Sequence, residues 1–95
     1  MKRTEVLDRL KASKQELSHR YHLKLIGLFG SYATEEQRPD SDIDIIVELS
    51  KPLGMEIVDL VIELEKILGR PVDLVTKKAL KPELLKAIEQ EVVYV

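Results

Sequence analysis

The stretch that decides the fold is Leu28-Phe29-Gly30-Ser31-Tyr32-Ala33, followed after a polar run by Pro39-Asp40-Ser41-Asp42-Ile43-Asp44-Ile45-Ile46-Val47. Leu23 to Phe29 is apolar enough to form a buried strand. Ile43 to Leu49 reads as a second strand, bounded by Pro39-Asp40-Ser41 before it and Ser50-Lys51-Pro52 after it. A glycine-serine corner therefore leaves one strand, and two aspartates stand at the mouth of the next.

Residues two apart on a strand point to the same face, so Asp42 and Asp44 share one side while Ile43, Ile45 and Val47 face the other. Their Cα atoms are expected about 6.5–7 Å apart. Carboxylates at that spacing can lean onto one or two cations, as in two-metal phosphoryl-transfer sites. Without a cation they would repel, and one would hold its proton more tightly. The glycine-serine corner offers the complementary chemistry. Gly30 permits a sharp turn or a close backbone approach, and Ser31 is expected to cap a following helical turn whose N–H groups attract phosphate. The bland alternative is a turn followed by a strand with solvated acids. The two halves fit one task better: gripping a polyphosphate and holding magnesium beside it.

These residues carry a family resemblance. Gly30-Ser31, then Asp42-x-Asp44 after a ten-residue gap, resembles the signature of the nucleotidyltransferase superfamily related to DNA polymerase beta. The longer string, with Arg38-Pro39-Asp40-Ser41 leading into Asp42-Ile43-Asp44-Ile45, is similar to the minimal nucleotidyltransferases, called MNT or MntA-like. The resemblance covers nearly the whole chain and implies a mixed sheet with the site at one end.

At 95 residues the chain is expected to be a single domain, 1–95, with a modest core. An apolar fraction of 44% and a charged fraction of 34% are those of a globular rather than a disordered protein. No apolar run is long enough to span a bilayer and no signal peptide is visible, so a membrane is not an expected partner and a cytoplasmic setting fits. The absence of cysteine excludes disulfides and thiolate zinc sites. Interspersed charges with a net −2 argue against direct nucleic-acid binding. Lys77, Lys78 and Lys81 form one local basic cluster, read as a solvated loop rather than a docking site.

Taken in order, Thr4 is a plausible N-cap for a helix over 4–20, with Glu5 and Asp8 near its start. His19 and His22 near its end read as surface residues rather than metal ligands. A short helix is expected over 31 to about 37. From Gly54 a periodic segment places Met55, Ile57, Val58, Val61, Leu64, Ile67 and Leu68 on an apolar face, closed by Gly69 as C-cap. Pro71 to Thr76 reads as a third strand carrying one acid, Asp73. Alone, Asp73 is evenly balanced between solvation and function; beside Asp42 and Asp44 it is the natural third carboxylate. Lys81-Pro82-Glu83 starts the last helix, with Leu84, Leu85, Ile88 and Val92 facing inward. The apolar tail Val93-Tyr94-Val95 is expected to pack on the domain. This order predicts an α/β (α+β) architecture, a small sheet with helices largely on one face.

The resemblance implies an enzyme that transfers AMP from ATP to a hydroxyl. Asp42, Asp44 and Asp73 would hold two Mg²⁺ ions, Gly30 and Ser31 would orient the triphosphate, and Asp73 would help activate the acceptor. It further implies an antitoxin whose partner is a HEPN-type RNase toxin modified on a tyrosine. Gly27-Leu28-Phe29-Gly30-Ser31 lacks the spacing and the lysine of a P-loop, consistent with transfer at the α-phosphate. One departure stands out. Family members often carry glycine shortly after the Gly-Ser-x-Ala run, where this chain has Thr34-Glu35, and the added acids Glu35 and Glu36 would repel phosphate. Two other readings follow: a non-catalytic antitoxin that masks its toxin by binding, and a nucleotidyltransferase acting on a small molecule or RNA.

Overall fold

A computed structural model describes residues 1–95. Helix α1 (Arg3–Tyr21) leads into strand β1 (Leu23–Phe29), helix α2 (Gly30–Thr34) and strand β2 (Ile43–Leu49). Helix α3 (Glu56–Leu68), strand β3 (Val72–Thr76), a 3-10 turn over Lys77–Ala79, helix α4 (Pro82–Glu89) and strand β4 (Val93–Tyr94) complete the chain. The sheet order is β3-β2-β1-β4. β1 runs antiparallel to β2 and β4, whereas β2 and β3 are parallel, with α3 as their crossover. This is the expected mixed sheet.

Register assigns the two faces. Ile26 pairs Val47 and Leu28 pairs Ile45, and these side chains are fully buried with Ile43. Against them pack Val6, Leu10 and Leu17 of α1 and Leu60, Leu64 and Leu68 of α3. Each such buried side chain contributes about 1.5–3 kcal/mol, so this one-sided core holds the fold. The opposite face carries Phe29, Asp44, Ile46, Asp73 and Val75 by the same alternation. Thus α1 and α3 cover one face, and α4 lies over part of the other.

Several local expectations shift. The N-cap of α1 is Lys2 rather than Thr4; the Lys2 N–H donates to Glu5 Oε1 at 3.2 Å, and Thr4 lies inside the first turn. In α3 the expected face is rotated: Met55 is 81% exposed and Val58 is also exposed, while Leu60, absent from the predicted stripe, is fully buried. The i, i+4 row Leu60-Leu64-Leu68 outcompetes the flanking positions for the sheet. Gly69 closes α3 in the left-handed region, as its place predicts. Leu84 is exposed instead of inward-facing, whereas Ile88 is buried. His19 is exposed and His22 closes α1 at positive φ.

The tail packs by adding strand β4 to the β1 edge, pairing Gly27 with Tyr94 and Leu28 with Val93. Gly27 makes this possible, because a Cβ there would stand 2.7 Å from Val92 Cγ2 and 2.9 Å from Tyr94 Cδ1. Gly27→Ala is therefore expected to push the tail off the sheet and destabilise the protein by about 1–3 kcal/mol, the usual cost of overpacking. Thermal unfolding checks this; an unchanged Tm would show that the tail moves aside freely.

Candidate active site

The site begins where β1 ends. Phe29 is extended, and Gly30 then takes φ +71, a conformation that side chains with a Cβ rarely adopt. The chain can therefore turn straight from strand into α2. Ser31 does not cap that turn: Phe29 holds the N-cap position and Ser31 is the second helical residue. The helix also stops at Thr34, short of the expected 37. Glu35 adopts φ 63 there, and the Glu36 N–H donates to the Ser31 carbonyl at 2.8 Å.

Glu35 thus occupies the left-handed position that a glycine would fill most easily. Its carboxylate pairs with Arg3 at 2.6 Å, and Arg3 also donates to the Ala33 carbonyl at 3.0 Å. Of the two added acids, Glu35 is thus partnered by α1, which offsets its repulsion of a phosphate, while Glu36 is exposed and takes part in no ion pair.

On β2, Asp44 lies opposite Phe29 on one side and Asp73 of β3 on the other. Neighbouring strands put the Asp44 and Asp73 Cα atoms about 4.8 Å apart. Asp42 precedes the strand on the same face by alternation. The Asp44 carboxylate rests against Gly30 so closely that a Cβ there would overlap it, with Cγ only 2.9 Å away. The sequence-selected residues Gly30, Asp44 and Asp73 are thereby brought together, with Asp42 beside them and Ser31 one residue further along α2.

Two contributors had no clear sequence signal. Arg70 donates from Nη2 to the carbonyls of Pro39 and Ser41, the latter at 3.4 Å, fixing the turn immediately before Asp42. Glu91, beyond the end of α4, accepts the Gly30 N–H at 2.9 Å. An apolar cleft of about 390 Å³ opens between Asp73, Val75 and α4 beside these groups. A larger cavity of about 700 Å³ lies at the far ends of β2 and β3, around Leu49 and Thr76, but none of the aspartates reaches it. The smaller cleft is lined by Asp73, Gly30 and Glu91.

The electrostatics are one-signed. None of Asp42, Asp44, Asp73 and Glu91 takes part in an ion pair. Burial, then the charges of Asp73, Asp42 and Glu91, push the Asp44 carboxyl up to about 6. As the side chains stand, no three acids or histidines form a closed cation cage. Asp42 and Asp73 are both exposed. The donor set itself, hard carboxylate oxygens crowded on one face, fits magnesium.

A stability consequence follows from the raised Asp44 pKa. The folded protein holds the proton more tightly than the unfolded chain, whose value is near 3.8. This contribution is present below that value and is lost as pH rises through about 6. Asp44→Asn is therefore expected to raise the Tm of the metal-free protein at pH 8. Solvent screening limits the gain to about 1 kcal/mol, and it vanishes near pH 4. An equal Tm shift at both pH values would remove charge repulsion as its cause.

Known proteins resemble the chain over nearly its whole length. The "Nucleotidyltransferase domain" family matches residues 10–95. The protein adenylyltransferase MntA of Thermococcus cleftensis is 42% identical over 96% of this chain and 93% of its own length. The solved structure of a candidate minimal nucleotidyltransferase superposes with a TM-score of 0.84 at 30% identity, covering 98% of this chain and 95% of that one. A toxin-antitoxin structure with AMP-PNP gives a TM-score of 0.72 at 26% identity, covering 99% of this chain and 72% of the other. A chain of the complex between a tri-AMPylated HEPN toxin of Shewanella oneidensis and its MNT antitoxin gives 0.68 at 27%, covering 95% and 70%.

The chain thus belongs to the nucleotidyltransferase domain family, and it is an enzyme of that class. Its four-stranded mixed sheet is the polymerase-beta-like fold of the minimal, MntA-like members.

Proposed function

We propose that this chain is a single-domain, cytoplasmic antitoxin that transfers AMP from ATP to a tyrosine hydroxyl of a HEPN-type toxin and so silences it. The observation that supports this most directly is the juxtaposition of Gly30 with Asp44 and Asp73, two acids that take part in no ion pair. Similarity to MntA of Thermococcus cleftensis, to a structure with AMP-PNP, and to a complex of a tri-AMPylated toxin supports the choice of nucleotide and partner.

Asp42, Asp44 and Asp73 would hold magnesium, which when bound neutralises phosphate charge and lowers the pKa of the acceptor hydroxyl. Gly30 presents its N–H at the turn into α2, and Ser31 follows; together they would orient the triphosphate. Asp73, exposed beside the cleft, would lower the pKa of the acceptor hydroxyl, directly or through the bound ion. The acceptor oxygen then bonds to the α-phosphorus as the bond to the leaving pyrophosphate breaks. Arg70 keeps the turn before Asp42 in place, so its role is positioning.

The test is the intact mass of the toxin after incubation with wild-type protein, ATP and magnesium. A gain of one or more AMP groups is expected, and none with Asp42→Asn. A toxin that is neutralised yet unmodified would replace this reading with inhibition by binding alone.

A further inference from the structure

Glu91 is the fourth carboxylate on the site face, and the only one of the four already engaged with a backbone donor: its Oε1 accepts the Gly30 N–H at 2.9 Å. Sixty-one positions separate the two residues. The contact therefore depends on how the fold brings the end of α4 back to the turn between β1 and α2. Val92 and Tyr94 lie across Gly27, and the Val95 N–H donates to the Ile26 carbonyl at 3.0 Å. This anchoring delivers Glu91 to Gly30.

A carboxylate placed on this amide has two consequences. It satisfies a donor that an extended chain entering a helix leaves without an intrahelical partner. It also adds a negative charge to the face holding Asp42, Asp44 and Asp73, and contributes to the raised Asp44 pKa. A structural role alone would be met as well by a neutral acceptor. An anion at this position has the charge and the acceptor oxygens of a phosphate, and two anions cannot share one N–H.

We propose that Glu91 is a built-in competitor of the substrate's phosphate at the Gly30 corner, holding the site closed to anions until nucleotide displaces it. The inference rests on the proposed nucleotidyl transfer and adds a regulation to that site. Displacement exchanges one charge-assisted hydrogen bond for another. It also removes one of four like charges from around the aspartates, so nucleotide and cation entry are mutually reinforcing.

The test is calorimetric titration of the full chain, with magnesium present, by a non-hydrolysable ATP analogue and by adenosine. Glu91→Ala is expected to bind the analogue roughly three- to tenfold more tightly than wild type, the range given by loss of one competing hydrogen bond. Glu91→Gln, which keeps an acceptor but loses the charge, should fall between them. Adenosine affinity should not change, because it carries no phosphate. Glu89→Ala serves as the charge control, since Glu89 pairs with Lys77 at 3.7 Å outside the aspartate group.

Wild type that binds the analogue, with both Glu91 variants binding equally or more weakly, would overturn the competition while leaving the proposed function intact. Equal tightening by Glu89→Ala would overturn it in favour of a general charge effect. An analogue bound by neither wild type nor variants would overturn both readings. If Glu91→Ala does not fold, Glu91→Gln alone decides, with tightening as the supporting result.

Discussion

Asp42→Asn and Asp44→Asn are each expected to lower the proposed AMP transfer by about 10³-fold or more while the chain remains folded. The size follows from the site's composition. The aspartates lie at the start of β2, and the chemistry assigned to them is charge neutralisation at the phosphates. Metal-assisted stabilisation of that kind is worth several kcal/mol, and each 1.36 kcal/mol is tenfold in rate. The fold does not depend on these carboxylates: Asp42 is exposed, and the strand is held by Ile43, Ile45 and Val47 on the opposite face. Steady-state transfer rates, with circular dichroism as the control for folding, check the prediction. Activity within tenfold of wild type in both variants would rule out this carboxylate pair as the reacting centre.

Gly30→Ala is the second large effect, and it acts through geometry rather than charge. A Cβ at Gly30 meets the Asp44 carboxylate, and φ +71 adds strain that is independent of available space. The left-handed conformation costs about 1–2 kcal/mol for a residue with a Cβ. Asp44 must also rotate away, and displacement of a reacting group by about 1 Å can cost 10²-fold. The expected outcome is a Tm lowered by several degrees together with transfer reduced at least about 10²-fold. Gly27→Ala offers the contrast. Its clash is with Val92 and Tyr94, so it should disturb the tail and spare the aspartates. Equal Tm values for wild type and Gly30→Ala would show that the turn relaxes without strain.

Much of the candidate site is legible in the sequence. The bounds of β1 and β2 coincide with the sequence reading because turn-forming residues flank both apolar runs. Alternation put Asp42 and Asp44 on one face and Ile43, Ile45 and Val47 on the other, which is how the core is built. Asp73 was a weaker inference from residues alone; parallel pairing of β2 with β3 is what sets it opposite Asp44.

What escaped the sequence was mainly long-range or conformational. Glu91 reaches Gly30, and Arg70 reaches the Pro39–Ser41 turn, across separations that no local periodicity encodes. Ser31 has the residue type of a cap, but the positive φ of Gly30 starts α2 one residue earlier and leaves Ser31 inside it. Leu60 was hidden in α3 because nearly every turn of that helix carries more apolar residues than its buried face needs. Only packing decides which row is used, and the row chosen leaves Met55, Val58 and Ile62 exposed.

The most direct measurement compares ATP labelled at the α-phosphate with ATP labelled at the γ-phosphate, each incubated with the protein, magnesium and its partner. The aspartate site beside Gly30 predicts α-label on the partner, with the γ-label released in pyrophosphate. Label retained from the γ-position, or none from the α-position on a neutralised partner, would contradict nucleotidyl transfer at this site.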